Sequence, residues 1–259
     1  PVTATVTVYP SFGAGGSFAY ITSTYDDNVS VINTTSNSVI ATIAVGNYPI
    51  GASVTPDGSK VYVANTDSDD VSVINTATNT VTATIAVGNG PAGIALSSDG
   101  KFIYAVNSYT NDISVIDLSS GKEWKRLAAG NNPTGIGMSP DGRRLLVTSR
   151  RANLVPYGDP VVCELTVIDE DTKMVIDRQD MNSAYMLENI AFTPDGELAL
   201  IPLIRPKNLV PSIQVEKGFM MTNGMAVIEQ KPDGRVIQLL LDEPNEYFAD
   251  PFDVAITPD

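Results

Sequence analysis

Tyr20, Tyr62 and Tyr104 stand 42 residues apart, and so do Asn33, Asn75 and Asp117, which close VSVIN, VSVIN and ISVID. Asp57, Asp99 and Asp141, in PDG, SDG and PDG, keep the same spacing. Three unrelated landmarks on one period define an internal repeat, and a repeat constrains a fold more than any single motif. One full period reads VYVANTDSDDVSVINTATNTVTATIAV (Val61–Val87), continued by GNGPAGIALSSDGK.

Each period contains four short runs rich in β-branched residues, bounded by Asn, Asp, Gly or Pro, which is the pattern of strands and turns. In the first clear unit these are Phe18–Ser23, Val29–Asn33, Ser38–Val45 and then Gly51–Thr55, which ends in a Pro-Asp-Gly turn. The opening residues hold one alternating strand, Thr3–Val8, and a Gly-rich turn. Four strands per roughly 40 residues is the signature of a β-propeller blade. The strands are apolar on both faces: Val29 and Val31 point one way and Ile32 the other. This suits a sheet packed between two neighbours. Gly51, Gly93 and Gly135 share one phase, on the innermost strand, where blades crowd and small residues fit.

The predicted fold class is therefore all-β: a propeller of four-stranded antiparallel blades, about five of them present, in one domain over 1–259. Regular repeats cover 18–142 and divergent blades 143–259. In the divergent half, RANLVPYGDPVVCE precedes LTVID (Leu165–Asp169), and IRPKNLVPSIQVEKGFMMTNG precedes MAVIE (Met225–Glu229). The aspartate spacing stretches to 54 and then 64 residues, ending at Asp259. The chain reads as strands b, c and d of one blade, four complete blades, and a final inner strand Phe252–Thr257. That last strand either closes a five-bladed ring or opens a further blade of a larger one, and the second outcome is expected.

The period Val61–Lys101 resembles the YVTN β-propeller repeat family of surface-layer and secreted proteins. The resemblance covers Phe18–Gly142 well and Leu145–Asp259 more loosely. It implies a propeller that is usually seven-bladed, on the cell surface, outside the cell or in the periplasm. RANLVPYGDP, RPKNLVPSIQVEKGFMMTNG and GRVIQLLLDEPNEYFADPFDVAITPD are similar to propeller regions found with c-type cytochrome modules of the dihaem peroxidase kind. This second resemblance implies a haem-bearing module as partner.

Composition narrows the function. The net charge of −14 lacks the basic footprint that a nucleic-acid binder needs. Histidine is absent, which removes the commonest general base and metal ligand. The one cysteine, Cys163, allows no intrachain disulfide and no Cys-x-x-Cys-His, so any haem belongs to a missing region or a partner. Cys163 reads as a small buried residue. No apolar run reaches the 18 or so residues a membrane helix needs. The start at Pro1 fits a removed leader or a trimmed chain equally. No nucleophile with a base to activate it is visible. The acidic turns Asp26-Asp27 and Asp67–Asp70 are calcium candidates, but with too few carboxylates to favour that reading.

The candidate binding surface is where the rhythm breaks. Both insertions are b–c loops, and the d–a loops 180–189 and 241–251 emerge at the same end of their blades. Long loops on a rigid scaffold commonly carry function. Arg150, Arg151, Arg205 and Lys207 cluster in or beside the insertions of an otherwise acidic chain, opposed by Glu243 and Asp250. Tyr157, Tyr185 and Tyr247 can line the same face. Arginine there serves either a docking surface or intrachain pairing with carboxylates that pins the loops. Two roles follow: a non-catalytic extracytoplasmic scaffold that binds a protein or ligand through these loops, or the propeller module of a cytochrome-associated redox enzyme. A propeller hydrolase of the lactonase kind is third, for want of histidine.

Overall fold

A computed structural model describes residues 6–9, 18–156, 159–206, 221–231, 234–240 and 256. Those residues are all β, without a helix, and form five antiparallel sheets. They divide into two compact units, Pro1–Ala128 and Ala129–Asp259.

The first unit holds three sheets. The first runs β1 (Val6–Tyr9), β2 (Phe18–Ser23), β3 (Asn28–Asn33) and β4 (Ser38–Ala44). The second runs β5 (Pro49–Val54), β6 (Lys60–Asn65), β7 (Asp70–Asn75) and β8 (Thr80–Ala86). The third runs β9 (Pro91–Leu96), β10 (Phe102–Asn107), β11 (Asp112–Asp117) and β12 (Lys122–Ala128). One expectation is corrected: the first blade does not lack its inner strand. Val6 pairs with Ile21 and Tyr9 with Phe18, so β1 fills that place. The expected strand at Thr3–Val8 is observed at Val6–Tyr9, and residues 1–5 lie outside the described residues, as does most of the terminal strand Phe252–Thr257.

Burial follows strand position. In β7 and β11 four successive residues are buried, with Val73 and Ile74 on opposite faces, so the third strand packs on both sides as predicted. β4 and β8 are mostly exposed, as outer edges. The core is built between sheets. Tyr20, Val29 and Val31 of the first pack with Val54, Val61 and Ile74 of the second. Tyr62, Val71 and Val73 pack in turn with Ile94, Ile103 and Ile116 of the third. The inner strands crowd: a Cβ on Gly51 would lie 2.3 Å from the Ala92 carbonyl oxygen, so only glycine fits.

The second unit holds two sheets. β13 (Pro133–Met138), β14 (Arg144–Ser149), β15 (Val162–Asp169) and β16 (Met174–Asn182) form one. The other comprises β17 (Met186–Leu187) and β18 (Ala191–Phe192), both paired with β19 (Leu198–Pro206), then β20 (Met221–Glu229) and β21 (Val236–Leu240). Their shared core includes Leu165, Met181, Leu187, Ile201 and Ala226. The insertions are shorter as loops than the sequence implies. Val162–Glu164 extends β15, and Ile204–Pro206 pairs with Met221–Asn223 to lengthen the β19–β20 hairpin. The 180–189 segment likewise contains the end of β16 and all of β17.

Candidate functional site

The second unit gathers the roots of both insertions at one end of its sheets. Asn153 bridges Val162 and donates its N–H to the Val162 carbonyl at 2.7 Å, closing the base of the first insertion. The Ser183 N–H donates to Val161 O at 2.7 Å, and the Tyr185 N–H to Ile204 O at 2.8 Å. The segment after β16 therefore spans from the first insertion to the second. Cys163 Sγ donates to the Tyr185 carbonyl at 2.9 Å, which fixes the segment from beneath.

Arg150 follows the last residue of β14. Its Nε lies 3.4 Å from Oε1 of Glu188, whose side chain is 10 % exposed. The repeat explains the position. Thr24, Thr66, Ser108 and Arg150 occupy one phase, 42 residues apart. The hydroxyls of Thr24 and Thr66 donate to the carbonyls of Pro49 and Pro91, which open the next blade's inner strand. Arg150 reaches to the corresponding place through a charge pair instead. The pairing alternative weighed for the arginines thus describes Arg150. Arg151 and Tyr185 are exposed at the same end of the unit, and Leu154 is wholly exposed.

The other expected site residues are placed only in part. Arg205 lies in β19, with its side chain outside the described residues. Tyr157, Lys207, Glu243, Tyr247 and Asp250 lie outside them altogether. Sequence reasoning missed Glu188 and also Glu164, which pairs with Arg178 and accepts from Thr166 Oγ1 at 2.9 Å. The signal for Glu188 was available: a long cation at a phase otherwise held by short hydroxyls asks for a partner at the start of the next inner strand.

Cys163 is fully buried, and burial pushes its thiol up to about 12, so it is no nucleophile near neutral pH. Among the described residues no group of three potential metal-ligating side chains converges. The acidic turns have structural tasks: Asp27 Oδ1 accepts from the Tyr48 N–H at 2.9 Å and Asp69 Oδ1 from the Gly90 N–H at 2.8 Å. At the opposite end of the unit a cavity of about 300 Å³ is lined by Arg144, Asp177, Gln179, Glu229 and Lys231 over an apolar floor. Glu229 is held there by Arg235 at 2.9 Å and Lys231 at 3.0 Å.

Comparison with known proteins bears on the fold. A YNCE-like beta-propeller family matches residues 2–105, and a family described as "Lactonase, 7-bladed beta-propeller" matches residues 75–157. The solved hydrazine synthase of Kuenenia stuttgartiensis superposes with a TM-score of 0.84 over 93 % of this chain and 68 % of that one, at 30 % identity. The chain belongs to that family of β-propellers. In sequence, the subunit beta of hydrazine synthase from the same organism is 32 % identical over 91 residues, or 35 % of this chain. That alignment spans only 24 % of the relative's length. The propeller reading from the 42-residue period thus holds, with about five blades in the chain. That relative is named as a subunit. The lactonase-type match, over residues 75–157, bears on the fold.

Proposed function

We propose that residues 1–259 form one propeller domain that acts as a non-catalytic subunit or module of a multi-subunit redox enzyme, docking a haem-bearing partner. One observation carries the proposal: likeness to a hydrazine synthase chain extends over 93 % of this chain at 30 % identity. The residues support it. No histidine and no paired cysteines are available to hold a haem, so redox cofactors fall to the partner. The loop-bearing end of the second unit offers Arg151, Tyr185 and Leu154 to solvent, and arginine and aromatic residues are enriched in protein interfaces. Arg205, Lys207, Tyr157, Glu243, Tyr247 and Asp250 belong to the same proposed surface. An extracytoplasmic location, where c-type cytochromes are assembled, is part of this reading.

The test is purification of the tagged protein from its native cells. The proposal expects co-elution at fixed stoichiometry with a partner showing a Soret band. Elution as a lone, colourless monomer contradicts it. A second reading, a free-standing surface propeller of the YVTN type, is favoured by the regularity of repeats 18–142. It predicts that lone monomer.

A further inference from the structure

The first unit carries an aromatic surface that its folding does not require. Three tyrosines stand at the ends of its sheets where the second-to-third strand turns and the sheet-to-sheet links emerge. Tyr25 and Tyr109 hold equivalent turn positions in the first and third sheets and are 69 % and 66 % exposed. Tyr48 lies on the link between the first two sheets and meets Tyr25 edge-on, with centroids 5.8 Å apart and an interplanar angle of 87°. The Tyr109 ring lies against the next link: a Cβ on Gly90 would be 2.6 Å from its Cδ2.

Tyr48 is the informative member. Its φ is 56°, in the left-handed region that disfavours residues bearing a side chain. At the same phase, 42 residues on, stands Gly90 with φ 66°. Folding there needs only a glycine, and a tyrosine kept in an unfavourable conformation points to a role outside folding.

The surface is continuous through backbone bonds. The Thr66 N–H donates to Tyr48 O at 3.0 Å, Asp67 N–H to Asn47 O at 3.2 Å, and Tyr109 N–H to Asn89 O at 3.0 Å. The five connections that form it, 24–27, 45–48, 66–69, 87–90 and 108–111, contain Asp26, Asp27, Asp67 and Asp69 and no Lys or Arg. At the opposite ends of these sheets the described turns 34–37, 55–59, 76–79, 97–101 and 118–121 hold no aromatic residue, and Lys60, Lys101 and Lys122 lie in or beside them.

We propose that Tyr25, Tyr48 and Tyr109, with Asp67 between them, form a docking surface for a Lys/Arg-bearing protein segment. Exposed tyrosines supply rigid contact area and ring faces for cations, and the carboxylates select a basic occupant. The inference deepens the docking function above and rests on it only in taking a protein as the occupant.

The test uses the full chain and a synthetic nonapeptide of alternating Arg and Gly, with binding followed by fluorescence anisotropy. Saturable binding that weakens with salt is expected. Tyr48→Gly should fold normally and weaken binding about tenfold or more. Asp67→Asn should weaken it several-fold, and Asp99→Asn, which removes the same charge from the opposite end, should leave it unchanged. Equal losses for Asp67→Asn and Asp99→Asn mean diffuse attraction and overturn the assignment. So does unchanged binding in Tyr48→Gly, or binding of cellohexaose in place of the peptide. Because the peptide assay is independent of haem co-elution, either proposal can fail while the other stands.

Discussion

Arg150 Nε lies 3.4 Å from Glu188 Oε1, at the repeat position where Thr66 instead donates its hydroxyl to Pro91 O at 2.8 Å. The chain has replaced a neutral tie by an ionic one at the blade that bears the first insertion. A carboxylate that is 10 % exposed depends on its partner more than a surface pair does. Arg150 is itself 41 % exposed, so screening reduces the effect. Arg150→Ala should therefore destabilise the protein by about 1–2 kcal/mol in urea unfolding. Glu188→Gln should cost less, because the amide is not left as a buried charge. Arg151→Ala, at an exposed neighbour, should stay within about 0.5 kcal/mol of the parent.

Gly51 sets a packing prediction. A methyl group there would meet the Ala92 carbonyl oxygen at 2.3 Å, and backbone cannot rotate away as a side chain can. Gly51→Ala should lower stability by about 3 kcal/mol or more, the upper range of overpacking. Gly58→Ala is the control: its Cβ has open space and only φ +67° opposes it, costing about 1–2 kcal/mol. Equal thermal shifts in the two variants would contradict close approach of the inner strands.

Cys163 governs part of the alkaline limb. Burial raises its thiol from 9.0 to about 12, so between those values the unfolded chain has released a proton that the folded chain keeps. Stability from this group is complete below pH 9 and falls as pH rises toward about 12. Cys163→Ala should flatten urea stability against pH over that window. Native protein at pH 8 should resist labelling by a thiol reagent that modifies the unfolded chain at once.

The aspartates of the a–b turns act on the acid side. Hydrogen bonds from the Thr55 hydroxyl and from Ser59 lower the Asp57 carboxyl to about 2, against 3.8 when unfolded. Its contribution is present above pH 3.8 and lost as pH falls through about 2. Asp141 and Asp195 are lowered in the same direction, first by the hydroxyls of Ser139 and Thr193. Carboxyl NMR titration should give Asp57 a midpoint near 2, and Thr55→Val should raise it.

The regular half of the fold was legible because one physical rule repeats. Strand c is apolar on both faces, the turns carry Asp and Gly, and the period makes each landmark confirm the others. β1 was misassigned because residues 6–9 precede the repeat and carry no landmark, so their pairing with Phe18–Ile21 rests on position alone. The divergent half was harder to read. Where Gly51 and Gly135 mark two inner strands, Asn189 holds that phase in the last sheet, and the strand splits into β17 and β18. That obscured Glu188. Tyr185 was found because an aromatic residue in a long d–a loop stands out. Its fixed position, through Cys163 Sγ and Ile204 O, depends on tertiary contacts that no local pattern encodes.

The central claim is that this propeller docks a haem-bearing partner through its insertion-bearing end. Cross-linking mass spectrometry on the assembly purified from native cells tests it most directly. The account predicts lysine cross-links to a haem-bearing partner from Lys207 and Lys217, in the second insertion, and none from Lys60, Lys101 or Lys122. Partner cross-links confined to Lys60, Lys101 and Lys122, or an assembly without a Soret band, would contradict it.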